Sequence, residues 1–358
     1  MVLDGLRFLA AGLIVLYHYQ SEGPWPLDRL SPVFLRGYLA TDFFLILSGY
    51  VLGRAYGRKI AGGTVSDERF LLLRVMRVWP AHLVMLAAFA VVIALGVALG
   101  APPAHPDQYQ LSDLPSQALL IHAWGLHTGS GWNLPTWSLS ALVICYAAFP
   151  TLWRKLNRVG ASLLLFIGGL AAVWAADLVS RTLYHHALFD LPFNLGVLRA
   201  LPLFVFGACI ARAGELDWPP SRWAVWLAVA SGLLVTVLQG FGRFDLMSVA
   251  LLGLLVGAGG AVRTSRGQQV AAKAGQISFA LYITHIFVAM IWFHATRMIV
   301  ARFAPPEWLQ WVMWGLALPA AIATAIAFER LVDQPLQKAV GRLISWRPAR
   351  YRELARSE

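Results

Sequence analysis

Long apolar runs separated by short polar stretches recur along the whole chain. A helix needs about 20 apolar residues to cross a bilayer, and in lipid only helices or closed barrels satisfy their own backbone hydrogen bonds. Because the runs are long, they predict helices. We therefore predict an all-α membrane protein, a polytopic bundle of about ten transmembrane helices at Leu3–Tyr19, Val33–Leu52, Trp79–Leu99, Trp137–Leu152, Ala161–Val179, Phe193–Ala211, Ala224–Gln239, Leu246–Val262, Ile277–Ile299 and Trp308–Phe328.

Composition supports this fold class. Of the 358 residues, 58% are hydrophobic and only 13% are charged, whereas a soluble globular chain carries about 25% charged residues. A net charge of +11 would suit a nucleic-acid-binding protein, but the basic residues fall in short loops between apolar runs, as topology determinants do. The expected partner is therefore the lipid bilayer, and a nucleic acid is not expected.

The basic residues also predict an orientation. If the runs cross in alternate directions, most lysines and arginines collect on one side, in the loops 54–77, 154–158, 212–222 and 263–273 and in the tail 330–356. Such loops stay in the cytoplasm, so both termini are predicted to be cytoplasmic. Residues 1–332 form the predicted transmembrane domain, and residues 333–358 form a basic amphipathic tail on the membrane surface.

Motifs for metals and nucleotides are absent from the sequence. CxxC, HExxH, GxxxxGK[ST] and GxGxxG do not occur. Cys145 and Cys209 both lie inside apolar runs, which does not indicate a disulfide framework or a metal site. We therefore predict no metal and no permanently bound cofactor.

The first apolar run carries charged and titratable residues that lipid disfavours. Arg7 and His18 are eleven residues apart, which returns a helix to nearly the same face, and Asp4 can pair with Arg7 one turn away. Ionisable groups on one face of a membrane helix indicate a cavity, so we predict that Arg7 and His18 line a single cavity. The alternative is that Arg7 reaches toward lipid headgroups while His18 lies at the opposite membrane interface.

Two further intramembrane residues are candidates for the same chemistry. Asp42 precedes an apolar run, and in the predicted topology it lies at the depth of His18 on the neighbouring helix. A carboxylate beside an imidazole orients it as a general base, so a His18–Asp42 pair is predicted; the alternative is that Asp42 caps a helix. His285 lies in the ninth run, either at the cavity or as a helix–helix hydrogen bond.

Arginines and polar residues elsewhere suggest where substrates bind. Arg74 and Arg77 lie on one helix face on the predicted cytoplasmic side, where guanidinium groups suit the phosphates of a nucleotide-like donor, although either could be a topology determinant alone. The stretch Asn133–Ser140 opens the fourth run from the other side. Its polar and aromatic members are predicted to face the acceptor cavity, namely Asn133, Trp137, Ser138 and Ser140.

Several of these stretches together resemble the acyltransferase 3 family of integral-membrane acyltransferases. LDGLRFLA holds Arg7 and His18 in the family's Arg-x10-His arrangement, and TDFFLILSGY at 41–50 is close to its DxFFxLSGF stretch. The resemblance continues in order through RVMRVWP, PTWSLS, ISFALYITH and FERLVDQP, and so covers essentially the whole chain. One departure is that many members follow WSLS with a glutamate, whereas this chain has no acidic residue between Asp113 and Asp177.

The resemblance implies transfer of an acyl group, usually acetyl, from cytoplasmic acyl-coenzyme A to a hydroxyl of a carbohydrate at a bacterial inner membrane. Acceptors would be polysaccharide, lipid-linked sugar or a glycoside. By the same resemblance, His18 is the catalytic base, Arg7 holds or polarises the donor, and Arg74 and Arg77 bind coenzyme A phosphates. Tyr282 joins the donor-binding set, since a thioester reaction needs a donor for the developing oxyanion, which Arg7, Ser138 or Tyr282 could supply.

Two other functions stay open at this point. A transporter or flippase for lipid-linked sugar is also a polytopic bundle with a few buried charges, but it would show inverted repeats, and none is visible. A non-catalytic membrane partner is favoured by the missing glutamate alone. If the chain is an enzyme, Asp42 or Glu329 could replace that carboxylate.

Overall fold

The computed structural model describes residues 2–103, 105–126, 131–242, 244–262 and 268–345, and these form helices and no strand. The predicted all-α class is therefore confirmed for this part of the chain. The α-helices are α1 (Val2–Tyr19), α2 (Leu39–Ala61), α3 (Asp67–Ala98), α4 (Leu114–Ala118), α5 (Trp137–Leu156), α6 (Ser162–Tyr184), α7 (Gly196–Glu215), α8 (Ala224–Gly240), α9 (Asp245–Ala261), α10 (Gln268–Phe303), α11 (Glu307–Phe328) and α12 (Gln334–Ser345).

Each predicted apolar run falls largely on one of these helices. Among the described residues, 7 helices are long and apolar enough to cross a membrane, and α8 and α9 are shorter apolar helices. The count of ten spans and the side of each terminus stay predictions. The second run was placed too early, since residues 32–36 form a short 3-10 turn capped by the Ser31 hydroxyl, and α2 begins only at Leu39.

Helices α2 and α7 pack closely because glycines remove side chains from their contact. A Cβ on Gly49 would overlap the carbonyl oxygen of Phe204, and a Cβ on Gly207 would overlap that of Ile46. Small residues at such contacts let two membrane helices approach at backbone distance. Asp42 precedes this contact by about two turns in α2, and Arg199 precedes it by about two turns in α7. Because Arg199 donates to Asp42, the two helices run parallel.

We expect Gly207→Ala to destabilise the protein by ~1–3 kcal/mol, because the added methyl group must push α2 and α7 apart. Gly232→Ala is the matched control, since a Cβ at Gly232 meets nothing within 4 Å. Thermal unfolding of the two purified variants in one detergent measures the difference. Equal melting temperatures would show that the α2–α7 contact tolerates separation.

The C-terminal helix is tied to α3. A π-helical turn at Glu329–Asp333 joins α11 to α12, and the Asp333 carboxylate accepts a hydrogen bond of 3.0 Å from Arg77. The Gln337 side-chain amide donates to the Arg77 carbonyl oxygen at 2.9 Å. The first part of the predicted basic tail is therefore an amphipathic helix held against the basic end of α3, while residues 346–358 of that tail lie outside the described residues.

Candidate active site

Two histidines from parallel helices meet near the C-terminal end of α1. His285 of α10 is fully buried, and its Nε2 lies 3.0 Å from Nδ1 of the partly buried His18. The Tyr19 hydroxyl donates to the His285 carbonyl oxygen at 2.7 Å, which fixes the register of α1 against α10. His285 thus lies behind His18 and forms a hydrogen bond between α10 and α1. It is not part of the lining of the cavities described below.

The hydrogen bonds of this pair assign the tautomers of both neutral rings. Nδ1 of His285 lies 3.1 Å from the Leu281 carbonyl oxygen, and Nδ1 of His18 lies 2.9 Å from that of Ile14. A carbonyl only accepts, so each ring is protonated at Nδ1. Nε2 of His285 then accepts from His18, and Nε2 of His18 keeps its lone pair.

The predicted hydrogen-bonded pair of His18 and Asp42 is wrong. Both Asp42 oxygens accept from Arg199 of α7, at 2.8 Å from Nε and 2.9 Å from a terminal nitrogen. The Arg199 guanidinium also donates to the Phe189 carbonyl oxygen at 2.8 Å. Asp42 is 0% exposed and Arg199 5%, and a carboxylate this deeply buried requires a cation as its partner. The alternative that Asp42 caps a helix is also not met, because the N-cap residue of α2 is Tyr38 and Asp42 lies inside the helix.

A polar hollow of about 330 Å³ lies beside His18, and we call it the histidine cavity. Its wall comes from α1, α2, α7, α10 and the turn before α5. The lining includes Tyr17, His18, Tyr38, Thr41, Trp137, Arg199 and Tyr282. Trp137 therefore lies where predicted, at this cavity, with its ring 5.6 Å from the Arg199 guanidinium.

A second hollow of about 190 Å³ contains two arginines, and we call it the arginine cavity. Arg7 of α1 and Arg77 of α3 line it together with Ser48, Ser138, Tyr146, Ser278, Phe279 and Tyr282. Each arginine also has an acidic neighbour, since Asp4 lies 3.8 Å from Arg7 and Asp333 lies 3.0 Å from Arg77. The prediction that Arg7 and His18 line one cavity is thus corrected, because they line two.

Tyr282 lies between these two cavities and lines both. Its hydroxyl is 2.7 Å from the Pro135 carbonyl oxygen and 2.7 Å from the Ser138 hydroxyl, which is itself 3.1 Å from the same carbonyl. Both hydroxyls can donate to the Pro135 carbonyl oxygen, which has two lone pairs, and either hydroxyl can instead donate to the other. Tyr282 and Ser138 therefore lie between the arginines and His18.

Arg74 lies one turn before Arg77, nearer the start of α3. It donates to the Tyr56 hydroxyl at 2.8 Å and lies over that ring, with 4.7 Å from the guanidinium carbon to the ring centre. It has no ion-pair partner among the described residues, unlike Arg77. A partly buried guanidinium without a carboxylate keeps its donors for an anionic ligand.

Two predicted cavity residues instead hold the long connection before α5. The Ser140 hydroxyl donates to the Leu120 carbonyl oxygen at 2.8 Å and accepts from the Ala123 backbone at 3.1 Å. The Asn133 side-chain amide donates to the Ile283 carbonyl oxygen at 2.8 Å. Both residues are buried away from the two cavities, so the expectation that they face the acceptor is wrong. Asn133 instead attaches the connection to α10, and Ser140 attaches the connection to the start of α5.

Neither carboxylate proposed to replace the missing glutamate contacts His18. Asp42 is neutralised by Arg199, and Glu329 lies beside Asp333 and Gln334 on the arginine side, where Gln334 donates to it at 3.4 Å. A neutral imidazole, His285, takes the place of a carboxylate behind His18. Within the described residues, no three His, Cys, Asp or Glu side chains come together to hold a metal ion.

Comparisons with known proteins identify the family of the chain. The family model described as an acyltransferase domain matches residues 2–330. The acyltransferase MdmB of Streptomyces mycarofaciens is 26% identical over 371 aligned positions, which cover 95% of this chain and 92% of that protein. Protein 2 in the picA locus of Rhizobium radiobacter is 29% identical over 186 residues, 49% of this chain and 94% of that protein. No solved structure gives a significant match to the chain.

The family match takes in almost the whole transmembrane bundle, including both cavities and the histidine pair. Several of its helices are long and apolar enough to cross a membrane. The chain therefore belongs to the acyltransferase 3 family and is a multi-pass membrane acyltransferase.

Proposed function

We propose that the protein moves an acyl group, in the simplest case acetyl, from acyl-coenzyme A to a hydroxyl of a carbohydrate-bearing acceptor. The donor enters through the arginine cavity and the acceptor hydroxyl occupies the histidine cavity. The observation that carries this proposal is that His18 lines the histidine cavity while its Nδ1 contacts both the Ile14 carbonyl oxygen and His285, which leaves Nε2 as the nitrogen available to act as a base. We place the protein in a bacterial inner membrane with both termini cytoplasmic.

His18 acts as the general base in this proposal. As the acceptor oxygen attacks the thioester carbonyl, Nε2 takes the hydroxyl proton. The new carbon–oxygen bond forms, the carbon–sulfur bond breaks, and the proton passes to the leaving thiolate of coenzyme A. Because His285 accepts from Nδ1, the His18 ring is already turned with its basic nitrogen toward the acceptor, and no reorientation is needed.

The arginines supply the donor side. Arg74, Arg77 and Arg7 follow one another from the start of α3 into the arginine cavity, and guanidinium groups bind phosphates through paired hydrogen bonds. Coenzyme A phosphates would lie nearest Arg74, which has no carboxylate partner in the described structure. The thin pantetheine arm would then extend past Arg77 and Arg7 toward Tyr282.

A purified sample tests this function directly. The protein is reconstituted in nanodiscs with acetyl-coenzyme A, and release of the free thiol is followed with and without membrane glycolipids. We expect acceptor-dependent thiol release. The double variant Arg74→Gln/Arg77→Gln is expected to raise KM for the donor by ~10²–10⁴-fold, because two charge-assisted contacts of ~1.5–3 kcal/mol each are lost. Arg69→Gln, on an exposed position of the same helix, should not raise KM. A wild-type protein that neither binds coenzyme A nor releases thiol contradicts the proposal.

Tyr282→Ala is expected to uncouple the reaction. Removing the ring joins the two cavities and admits water to the thioester, whose exclusion is part of the proposed mechanism. Acetyl-coenzyme A hydrolysis without acceptor should therefore rise relative to transfer, as measured by thiol release against acylated product.

Tyr282→Phe is the control for this variant, because it keeps the ring and its packing against Phe44, 5.8 Å between ring centres. It should remain tightly coupled. Equal coupling in the alanine variant would show that Tyr282 does not separate donor from solvent.

A further inference from the structure

His18 lines a second hollow besides the histidine cavity. This hollow of about 440 Å³ lies between the second half of α3, residues 101, 103, 105, 108 and 109, and the second half of α10. We call it the lateral groove and define it by Val92, Ile93, Leu134, Ile286 and Met290. His18 stands where the lateral groove and the histidine cavity meet, since it belongs to both linings.

Alkyl and thioether side chains form most of the surface of the lateral groove, and the polar side chains of His105, Gln108, Tyr109 and His294 form a smaller part. Its charged groups lie at one end, where Arg297 donates to Glu22 at 2.8 Å and the two neutralise each other. A sugar ring placed along this wall would leave several hydroxyls without partners, at ~1–3 kcal/mol for each buried one. An alkyl chain needs no partners, so the lateral groove suits an apolar ligand.

The mouth of the lateral groove faces the side of the bundle. Residues that flank it on α3 and α10 are apolar and exposed, with Val91 58%, Leu95 56%, Ile291 45% and Met298 59% exposed. In a membrane protein such positions contact lipid. A hydrocarbon chain can therefore pass from the bilayer into the lateral groove without crossing water.

We infer that the acceptor is a membrane amphiphile, with its hydroxyl-bearing polar head in the histidine cavity and its apolar chain in the lateral groove. This inference rests on the proposed function and narrows its acceptor to a lipid-linked carbohydrate. The amphiphile approaches from the bilayer beside α3 and α10, and its head turns past Leu134 to bring the reacting hydroxyl to Nε2 of His18. The donor arrives from the opposite side of Tyr282, so the two substrates do not compete for one entrance.

Photo-labelling tests the chain site without requiring turnover. The full-length protein in phosphatidylcholine nanodiscs is exposed to octyl β-D-glucoside that carries a diazirine at the chain end, and labelled peptides are identified by mass spectrometry. We expect saturable labelling of 92–96 and 286–290. Met290→Trp fills the lateral groove and should abolish that labelling. Leu233→Trp, at a 64% exposed lipid-facing position of α8, should leave it unchanged.

Ile93→Trp fills the lateral groove from the opposite wall, and it gives a second variant if Met290→Trp does not fold. Labelling of the lateral groove that is no stronger than labelling of α8, or that survives both tryptophans, would overturn the inference. If the lateral groove is not labelled but the protein still releases thiol from acetyl-coenzyme A, the inference is wrong and the proposed function is unaffected. Saturable labelling in a protein that never releases thiol would instead refute the transferase proposal.

Discussion

His18→Ala is expected to lower kcat for acyl transfer by ~10²–10⁴-fold, the usual contribution of a general base. Donor binding should persist, because the arginines lie in the other cavity, beyond Tyr282. The histidine cavity, at about 330 Å³, gains room where the ring was. Added imidazole should therefore restore part of the activity. Steady-state kinetics, coenzyme A binding and an imidazole titration on one preparation measure all three effects.

His285→Phe is the matched variant for this prediction. It keeps a buried ring of similar size but removes the acceptor of the His18 hydrogen bond, while the bond to Ile14 remains. A loss of about tenfold in kcat with little change in KM is expected, equivalent to ~1.4 kcal/mol for one hydrogen bond. Transfer at the wild-type rate by His18→Ala would remove the histidine from the mechanism, whatever His285→Phe does.

Most of the fold could be predicted from the apolar runs, because lipid leaves a long apolar segment few choices other than a helix. The helix ends could not. α3 begins at Asp67, well before its apolar run, because the Ser66 hydroxyl accepts from the Arg69 backbone and starts the helix in polar sequence. The Ser31 hydroxyl likewise caps the 3-10 turn at 32–36, so α2 begins only after that turn. The apolar pattern contains no information about such local caps.

The candidate site was only partly predictable because its partners come from distant helices. The spacing of Arg7 and His18 predicts one shared cavity, and it could not show that Tyr282 lies between two separate cavities, one lined by each residue. The predicted topology puts Asp42 at the depth of His18 on the neighbouring helix, so the sequence alone favours pairing the two. The actual pairings follow from two helix contacts, α1 with α10 and α2 with α7, that only the folded chain defines.

Arg199 is the functional residue that the sequence reasoning missed. It lies inside the apolar run Phe193–Ala211, where an arginine is costly unless it is paired. Because a buried charge needs a partner of opposite sign, the presence of Asp42 and Arg199 in two apolar runs indicates that they form an ion pair. The glycines Gly49 and Gly207, each seven or eight residues after one of these charges, were the further signal that α2 and α7 pack at close range.

The Asp42–Arg199 pair gives the largest expected effect on stability. Asp42→Ala and Arg199→Ala should each destabilise the protein by ~3–5 kcal/mol, because each leaves a buried charge without its partner. Asp42→Leu/Arg199→Met replaces both charges with apolar groups of similar volume and should regain most of that loss. Thermal unfolding of the three variants in one detergent is the measurement. A double variant as unstable as the single ones would contradict this account.

The stable double variant also separates the structural role of Arg199 from a role at the acceptor. The three hydrogen bonds of Arg199 to Asp42 and Phe189 leave one hydrogen on each terminal nitrogen, and the side chain lines the histidine cavity. We therefore expect the double variant to bind coenzyme A normally and to show a raised KM for the acceptor, since an acceptor in the histidine cavity would lose these two hydrogen-bond donors. An unchanged acceptor KM in a well-folded double variant would assign Arg199 solely to neutralising Asp42.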